Sequence, residues 1–293
     1  MKKQLFLPIL LLFLISLSCS PGGSDPVDPP AATKGRIDFK LTDDPGTYAY
    51  FKIDIAGLEY NESDIPGITT GWVNVPLQNT GIIDIIQYSN GRELPLGTLE
   101  LLPLTVKQLR LKLGTRNSFA IWSGPVGGNY AFFDMTLHPS IVNGLVIPFR
   151  INVLPNATNR IYFDFDATRS RIQTGPTAWQ LLPVLRMFEA GQVSAIDGKI
   201  LPKEARPYVR VIYMNHSGPG DYYDTAYGYP DTTGYFKIIG LAPARAIPDS
   251  VTGIQKVEFF PRLFPSPPYQ PQEKLVQLVQ NVTVNAATTI LTQ

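Results

Sequence analysis

Apolar residues recur at every second position along most of this chain. Phe51, Ile53 and Ile55 alternate with Lys52 and Asp54; Leu109, Leu111 and Leu113 alternate with Arg110 and Lys112; Ile161, Phe163 and Phe165 alternate with Tyr162, Asp164 and Asp166. Period two places successive side chains on opposite faces of a strand, so each stretch predicts an antiparallel strand with one greasy and one wet face. Turn residues fall between them, as at Asp44-Pro45-Gly46, Asn90-Gly91, Asn143-Gly144 and Gly175-Pro176. With 27 prolines and 24 glycines, the chain is interrupted too often for long helices. Residues 81–89 alone, with Ile82, Ile83, Ile85 and Ile86, suit a short helical turn, and a strand fits nearly as well. The prediction is an all-β protein of two β-sandwich-like domains.

The alternation is missing at the N-terminus. Lys2 and Lys3 precede an oily run over residues 5–17, broken by Pro8, and Ser16-Leu17-Ser18 then lead to Cys19, the single cysteine. That order is the order of a secretory signal peptide. The run is too short to span a bilayer, which takes about 20 apolar residues. A cysteine just behind a cleavage point suits a lipoprotein, whose sulfur carries the acyl anchor, and no second cysteine exists to form a disulfide. Ser16 stands where lipoprotein signals usually carry leucine. The following SPGGSDPVDPPAAT has no apolar periodicity and reads as a disordered tether. The expected division is therefore a signal peptide at 1–18, a tether at 19–33, a first domain at 34–190 and a second at 191–293. Near residues 187–191 one predicted strand runs straight into the next, so the two modules are expected to pack end to end.

Charge narrows the partners. The chain holds 25 Lys and Arg against 24 Asp and Glu, and loss of Lys2 and Lys3 with the signal leaves 23 against 24. Such a neutral balance argues against nucleic acid as a partner. Once Cys19 is acylated no thiol remains, which suits an oxidising exterior and removes thiol catalysis. His138 and His216, the only histidines, fall in different modules without metal-ligand spacing, so neither a zinc site nor a Ser-His-Asp triad is expected. No G-x-S-x-G, phosphate loop or dinucleotide fingerprint occurs. No cofactor and no metal are expected.

Residues 35–190 resemble the bacterial lipoprotein family known as domain of unknown function 4382. The likeness rests on Phe39-Lys40-Leu41-Thr42-Asp43-Asp44-Pro45-Gly46 ahead of the strand at 51–57, on Trp72 and Ile83-Asp84-Ile85-Ile86, on Gln108-Leu109-Arg110-Leu111-Lys112-Leu113-Gly114, and on Tyr162-Phe163-Asp164-Phe165-Asp166-Ala167-Thr168-Arg169-Ser170 followed by Leu181-Leu182-Pro183-Val184. The resemblance implies a lipid-anchored, exported β domain with no assigned activity. Residues 191–293 resemble the transthyretin-like (prealbumin-like) sandwich of carboxypeptidase regulatory domains, through Val193-Ser194-Ala195-Ile196-Asp197-Gly198-Lys199-Ile200, Thr232-Thr233-Gly234-Tyr235-Phe236 and the closing Val282-Thr283-Val284. The stretch Ala244-Arg245-Ala246-Ile247-Pro248 departs from that pattern.

Three groups of residues carry candidate chemistry. Asp164 and Asp166 lie two apart on a strand, so both carboxylates project from one face about 7 Å apart at a rise of about 3.3 Å per residue. That spacing is within reach of an inverting glycosidase pair or of two calcium ligands. The preferred reading is a structural strand end ion-paired with Arg169, Arg171 or Arg186. Asp43 and Asp44, before Pro45-Gly46, read as turn residues whose side chains bond backbone amides. The segment GPGDYYDTAYGYPDTTGY at 218–235 interleaves Tyr222, Tyr223, Tyr227 and Tyr229 with Asp224. Such tyrosines suit stacking on sugar rings or gripping a protein; equally, they suit a β-hairpin whose alternate rings pack inward. Residues 259–271 read as a proline-rich loop.

The expectation is a non-enzymatic, lipid-anchored lipoprotein of the outer membrane, periplasmic or surface-exposed, that binds or scaffolds. Its expected partners are the membrane through Cys19 and either a glycan or another envelope protein. Two alternatives stay open: a fimbria-like structural subunit, and a weak glycoside hydrolase using Asp164 and Asp166.

Overall fold

The computed structural model describes residues 33–44, 46, 48–123, 128–215, 222–242, 254–261 and 269–292. Thirteen strands come first: β1 (Gly35–Asp44), β2 (Tyr48–Asn61), β3 (Val73–Asn74), β4 (Gly81–Asp84), β5 (Leu94–Leu101), β6 (Leu104–Leu113), β7 (Asn117–Trp122), β8 (Tyr130–Leu137), β9 (Leu145–Val153), β10 (Thr158–Asp166), β11 (Arg171–Gln173), β12 (Trp179–Leu181) and β13 (Leu185–Glu189). Seven follow: β14 (Ser194–Leu201), β15 (Tyr208–Asn215), β16 (Tyr222–Gly228), β17 (Tyr235–Leu241), β18 (Ile254–Phe260), β19 (Gln272–Gln277) and β20 (Thr283–Ile290). No α-helix occurs among the described residues, and the protein is all-β.

The strands form four sheets. A four-stranded sheet runs β13-β10-β1-β5, and a nine-stranded sheet runs β11-β12-β8-β7-β2-β6-β9 with β3 and β4 against β2. Between these two lies one hydrophobic core, in which Phe39, Phe51, Phe119, Phe163 and Phe165 are fully buried. Each such ring contributes about 1.5–3 kcal/mol by leaving water. Beyond residue 193, sheets β17-β14-β20 and β16-β15-β18-β19 enclose a second core around Tyr213, Phe236 and Phe259.

Buried acids lock the first sandwich. Asp54 lies inside β2 and accepts hydrogen bonds from the Arg116 backbone nitrogen (3.3 Å) and Nε (3.0 Å), which fixes the β6–β7 turn. Glu59 takes Arg110 Nε and Lys112 Nζ, both at 2.5 Å, from the neighbouring strand, while the Trp72 ring covers Arg110 at 4.2 Å. Burial pushes the Glu59 carboxyl up, but the hydrogen bonds from Lys112 and Arg110 outweigh it and hold the group below the usual carboxylate range.

Several local expectations are corrected. Asp43 and Asp44 are not in a turn: β1 extends through both, because its parallel ladder with β10 continues to the pairs Asp43–Phe165 and Asp44–Asp166. Residues 81–89 divide into β4 and a 3-10 turn at Ile85–Tyr88, since the Asp84 carboxylate accepts from the Phe51 amide at 3.0 Å and holds β4 against β2. The polar face of β10 is not wet. Tyr162, Asp164 and Asp166 are buried as well, Asp164 beneath Arg186 and residues of the second sandwich and Asp166 under Arg169. Finally, residues 222–235 are not a hairpin. β16 pairs with β15, whereas β17 pairs with β14 in the opposite sheet, so the chain crosses from one layer to the other. Gly228 permits the close approach, since a Cβ there would stand 2.9 Å from Ile238.

Candidate functional site

The junction between the two cores is built on Arg186. Its Nε donates to Asp164 at 2.9 Å, Nη1 to the Tyr213 hydroxyl at 2.8 Å, and Nη2 to both Asp164 and the Ile239 carbonyl (3.0 Å). The Tyr213 hydroxyl in turn donates to Asp224 at 3.1 Å. Asp164 is only 3% exposed; burial pushes its pKa up, against the pull of the Arg186 guanidinium. Burial likewise pushes the Tyr213 hydroxyl up to about 12. Next to this network the Tyr162 and Phe188 rings stack at 5.0 Å. Phe188 sits on Gly240, whose φ is +73° and where a Cβ would lie 2.2 Å from the ring. On the far side Asn90 donates to the Tyr229 carbonyl at 2.9 Å and accepts from the Lys237 amide at 3.4 Å.

Asp164 and Asp166 do share a cleft, of about 510 Å³, whose lining also includes Arg150, Arg169, Arg186 and Asp224. Each acid is already engaged: Asp164 by Arg186, and Asp166 by Arg169, whose Nε and backbone nitrogen donate at 2.6 and 2.8 Å. Arg171 is elsewhere, on the edge strand β11 of the nine-stranded sheet, donating to the Tyr48 hydroxyl at 2.9 Å. Among the described residues no three His, Cys, Asp or Glu side chains form a metal-binding group. His138 precedes the 3-10 turn Pro139–Ile141, with its Nδ1 2.8 Å from the Ser140 hydroxyl. His216 and Cys19 lie outside the described residues.

The predicted tyrosine group does not assemble into one site. Tyr223 is 72% exposed on β16, whereas Asp224, the next residue, points inward to Tyr213. Tyr222 opens β16. Tyr227 and Tyr229 gather on Tyr208, with ring centroids 6.3 and 6.0 Å away, and Tyr208 stacks on Phe260 at 5.0 Å. Of the predicted set only Tyr229 lines a second cleft. Residues 218–221 and 262–268, which the sequence also singled out, lie outside the described residues.

That cleft, of about 630 Å³, is formed by the ends of β2 and β7 on one side and by the β14–β15 and β16–β17 connections on the other. Tyr48, Trp122 and Tyr229 supply rings; Lys203, Glu204, Arg206 and Asp231 supply charge. Tyr48 is fixed edge-on against Phe51 and Phe119 (5.2 and 6.0 Å). Arg206 holds a left-handed backbone, φ 44° and ψ 54°, with its amide on the Lys203 carbonyl; a non-glycine residue keeps that conformation only where its surroundings enforce it. Asp231 is committed to its own turn: burial pushes it up, but bonds from the Thr233 hydroxyl (2.7 Å) and amide (2.8 Å) hold the carboxyl low. Lys203, Glu204 and Arg206 form no salt bridge among the described residues. The sequence reading missed Tyr48 and Trp122, which lie far from 218–235 along the chain. A usable signal existed: Trp122 and Tyr130 face each other at one end of the antiparallel β7–β8 pair.

A family model described as a domain of unknown function (DUF4382) matches residues 34–183, just over half of the chain. No curated protein matches. Among solved structures, the Bacillus anthracis TIE protein is 10% identical, with 87% of this chain and 33% of that one covered and a TM-score of 0.19. A leucine-rich repeat protein from Bacteroides thetaiotaomicron is 13% identical, with 88% and 26% covered and a TM-score of 0.19. This chain therefore spans about a third and a quarter of those two, and likeness at this level carries no weight for function.

Proposed function

The chain belongs to the family of the domain of unknown function DUF4382, and from its own geometry we propose that it is a non-catalytic binding protein of the cell envelope that takes a glycan into the aromatic cleft. In this reading acylated Cys19 anchors it to the outer membrane, residues 20–33 act as the tether, and the second sandwich is an add-on of the carboxypeptidase regulatory, transthyretin-like kind. The observation that carries the binding role is the coincidence in one cleft of three rings with Lys203, Glu204 and Arg206, which form no salt bridge among the described residues. Its volume falls in the usual range for ligand sites, about 300–1,000 Å³. Rings stack on the apolar faces of sugars, while charged groups exchange hydrogen bonds with hydroxyls. Glycan arrays and envelope polysaccharides presented to the full chain should show retention that falls at least about tenfold in Trp122→Ala. Equal retention by wild type and variant would remove the cleft from the reading. Acyl labelling that persists in Cys19→Ala would remove the anchor.

One observation favours a second reading, a weak glycoside hydrolase. Asp164 and Asp166 line a shared cleft, and burial pushes Asp164 toward the protonated form that a general acid needs. Against it stand the guanidiniums that already occupy both carboxylates. Glycan turnover that disappears in Asp164→Asn with the fold intact would establish the hydrolase and displace the binding role.

A further inference from the structure

The cleft opens onto a row of rings outside it. Trp122, at the end of β7, lines the cleft and also meets Tyr130 of β8 edge-on, centroids 5.9 Å apart. Tyr130 meets Tyr50 of β2 at 5.8 Å. Two residues further along β8, on the same face, stands Phe132. Tyr130 is 51% exposed and Phe132 66%, although strand residues of this size normally find a cover. Ala120 pairs with Tyr50 on one side and Phe132 on the other, and it is fully buried, so the rings beside this small residue cover it. The row is interleaved with polar groups. Lys52 places its ammonium 4.4 Å from the Tyr50 ring centre, Ser118 bonds the Tyr50 side chain, and exposed Asp134 pairs across from Ser118.

From this arrangement we propose that the glycan is a long polysaccharide, held in the cleft and along the Trp122–Tyr130–Phe132 row on the outer face of the nine-stranded sheet. The proposal rests on the cleft being a glycan site. At the pleat and pairing distances of a sheet, the row adds roughly 10 Å of track beyond the cleft mouth. A short sugar would fill the cleft and leave these rings unused; a longer chain continuing past Trp122 would meet Tyr130, its ring neighbour at 5.9 Å, and then Phe132. A protein partner fits less well, because charged and hydroxyl groups break the apolar surface between the rings. All four rings stand on paired strands, so they are held in place before binding and lose little freedom on contact.

The test is a length series. Cello-, xylo-, manno- and laminari-oligosaccharides, from disaccharide to octasaccharide, and their parent polysaccharides are titrated against the full chain, with Trp122 fluorescence and calorimetry as readouts. Affinity should climb with chain length. Phe132→Ala should cut polymer affinity at least about tenfold while leaving the shortest binding sugar unchanged, and Tyr130→Ala, which also removes the ring against Trp122, should weaken the polymer more than the short sugar. Trp122→Ala should weaken both. Binding of short sugars with no gain in length overturns the polymer proposal and leaves the cleft reading standing. A length gain untouched by Phe132→Ala and Tyr130→Ala overturns the assigned track. No binding in any series overturns both. Phe132 is exposed, so its alanine variant should keep the wild-type circular dichroism, and loss of that spectrum is separated from loss of contact by the Phe132→Tyr variant, which restores the ring.

Discussion

Replacing Arg186 with methionine removes one guanidinium that makes four hydrogen bonds to three acceptors among the described residues of both cores: Asp164 twice, Tyr213 and Ile239. Methionine keeps most of the stem packing, so the loss is mainly electrostatic. Breaking a buried pair by deleting one partner costs about 3–5 kcal/mol, because the surviving charge is left in a poor solvent. Asp164, at 3% exposure, is such a charge. Lost bonds to Tyr213 and Ile239 add about 1 kcal/mol each. Asp164 has an escape route through protonation. With Arg186 gone its folded pKa lies above the unfolded value of about 3.9. The folded state then binds the extra proton between those two values, so the penalty is largest at neutral pH and shrinks as pH falls toward about 4. Urea unfolding of the full chain, followed by tryptophan fluorescence at pH 7 and pH 5, measures both. The double variant Asp164→Asn with Arg186→Met removes the stranded charge and should recover a large part of the loss. A penalty under about 1 kcal/mol at pH 7 would show that the pair is hydrated. A penalty that does not shrink in acid, or a double variant no better than the single, would show that the charge on Asp164 is not its cause.

Gly240→Ala pushes a methyl to 2.2 Å from the Phe188 ring at a φ of +73°; overpacking and left-handed strain together should cost about 2–4 kcal/mol, and an unchanged thermal midpoint would contradict the seating of Phe188. Glu59 has a folded pKa below its unfolded value, so its ionised form stabilises the fold above about pH 4.3 and that contribution fades as pH falls through the folded value. Glu59→Gln should therefore lose stability at pH 7 and show a shallower decline on acidification, and urea midpoints that run parallel to wild type across pH would refute the pairing with Arg110 and Lys112. Asn90→Ala removes both bonds to the 229 and 237 backbones and should raise hydrogen exchange at β17 while leaving β2 unaffected; uniform exchange across both strands would contradict a local tie.

Strand content was legible because period two is a local property. Phe51, Ile53 and Ile55 enter the core as their alternation predicts. Alternation also misled: Asp164 and Asp166 look like a wet face until a second sandwich, assembled from residues more than 20 positions away, is laid over it. Burial of a polar face by a distant element leaves no period in the strand itself. Asp43 and Asp44 show the same limit, since a turn-like composition yielded to a parallel ladder with β10 at these two residues. For the clefts the gap is wider. Tyr48 and Trp122 stand at strand ends of the first sandwich and Arg206 in a connection of the second, and only the docking of two cores makes them neighbours. Tyrosine density drew attention to 218–235, but density does not say which way a side chain points. Asp224 and Tyr223 are adjacent in sequence and face opposite ways.

The position of β1 has a mechanical consequence. The strand lies inside its sheet, with β10 parallel on one side and β5 antiparallel on the other. A pull entering at Gly35 along the strand axis loads both ladders in shear, so their hydrogen bonds share the force and must yield together. At an edge strand pulled crosswise they would break in succession. Under the proposed anchor, tension entering ahead of Gly35 would therefore be met by both ladders of β1 at once.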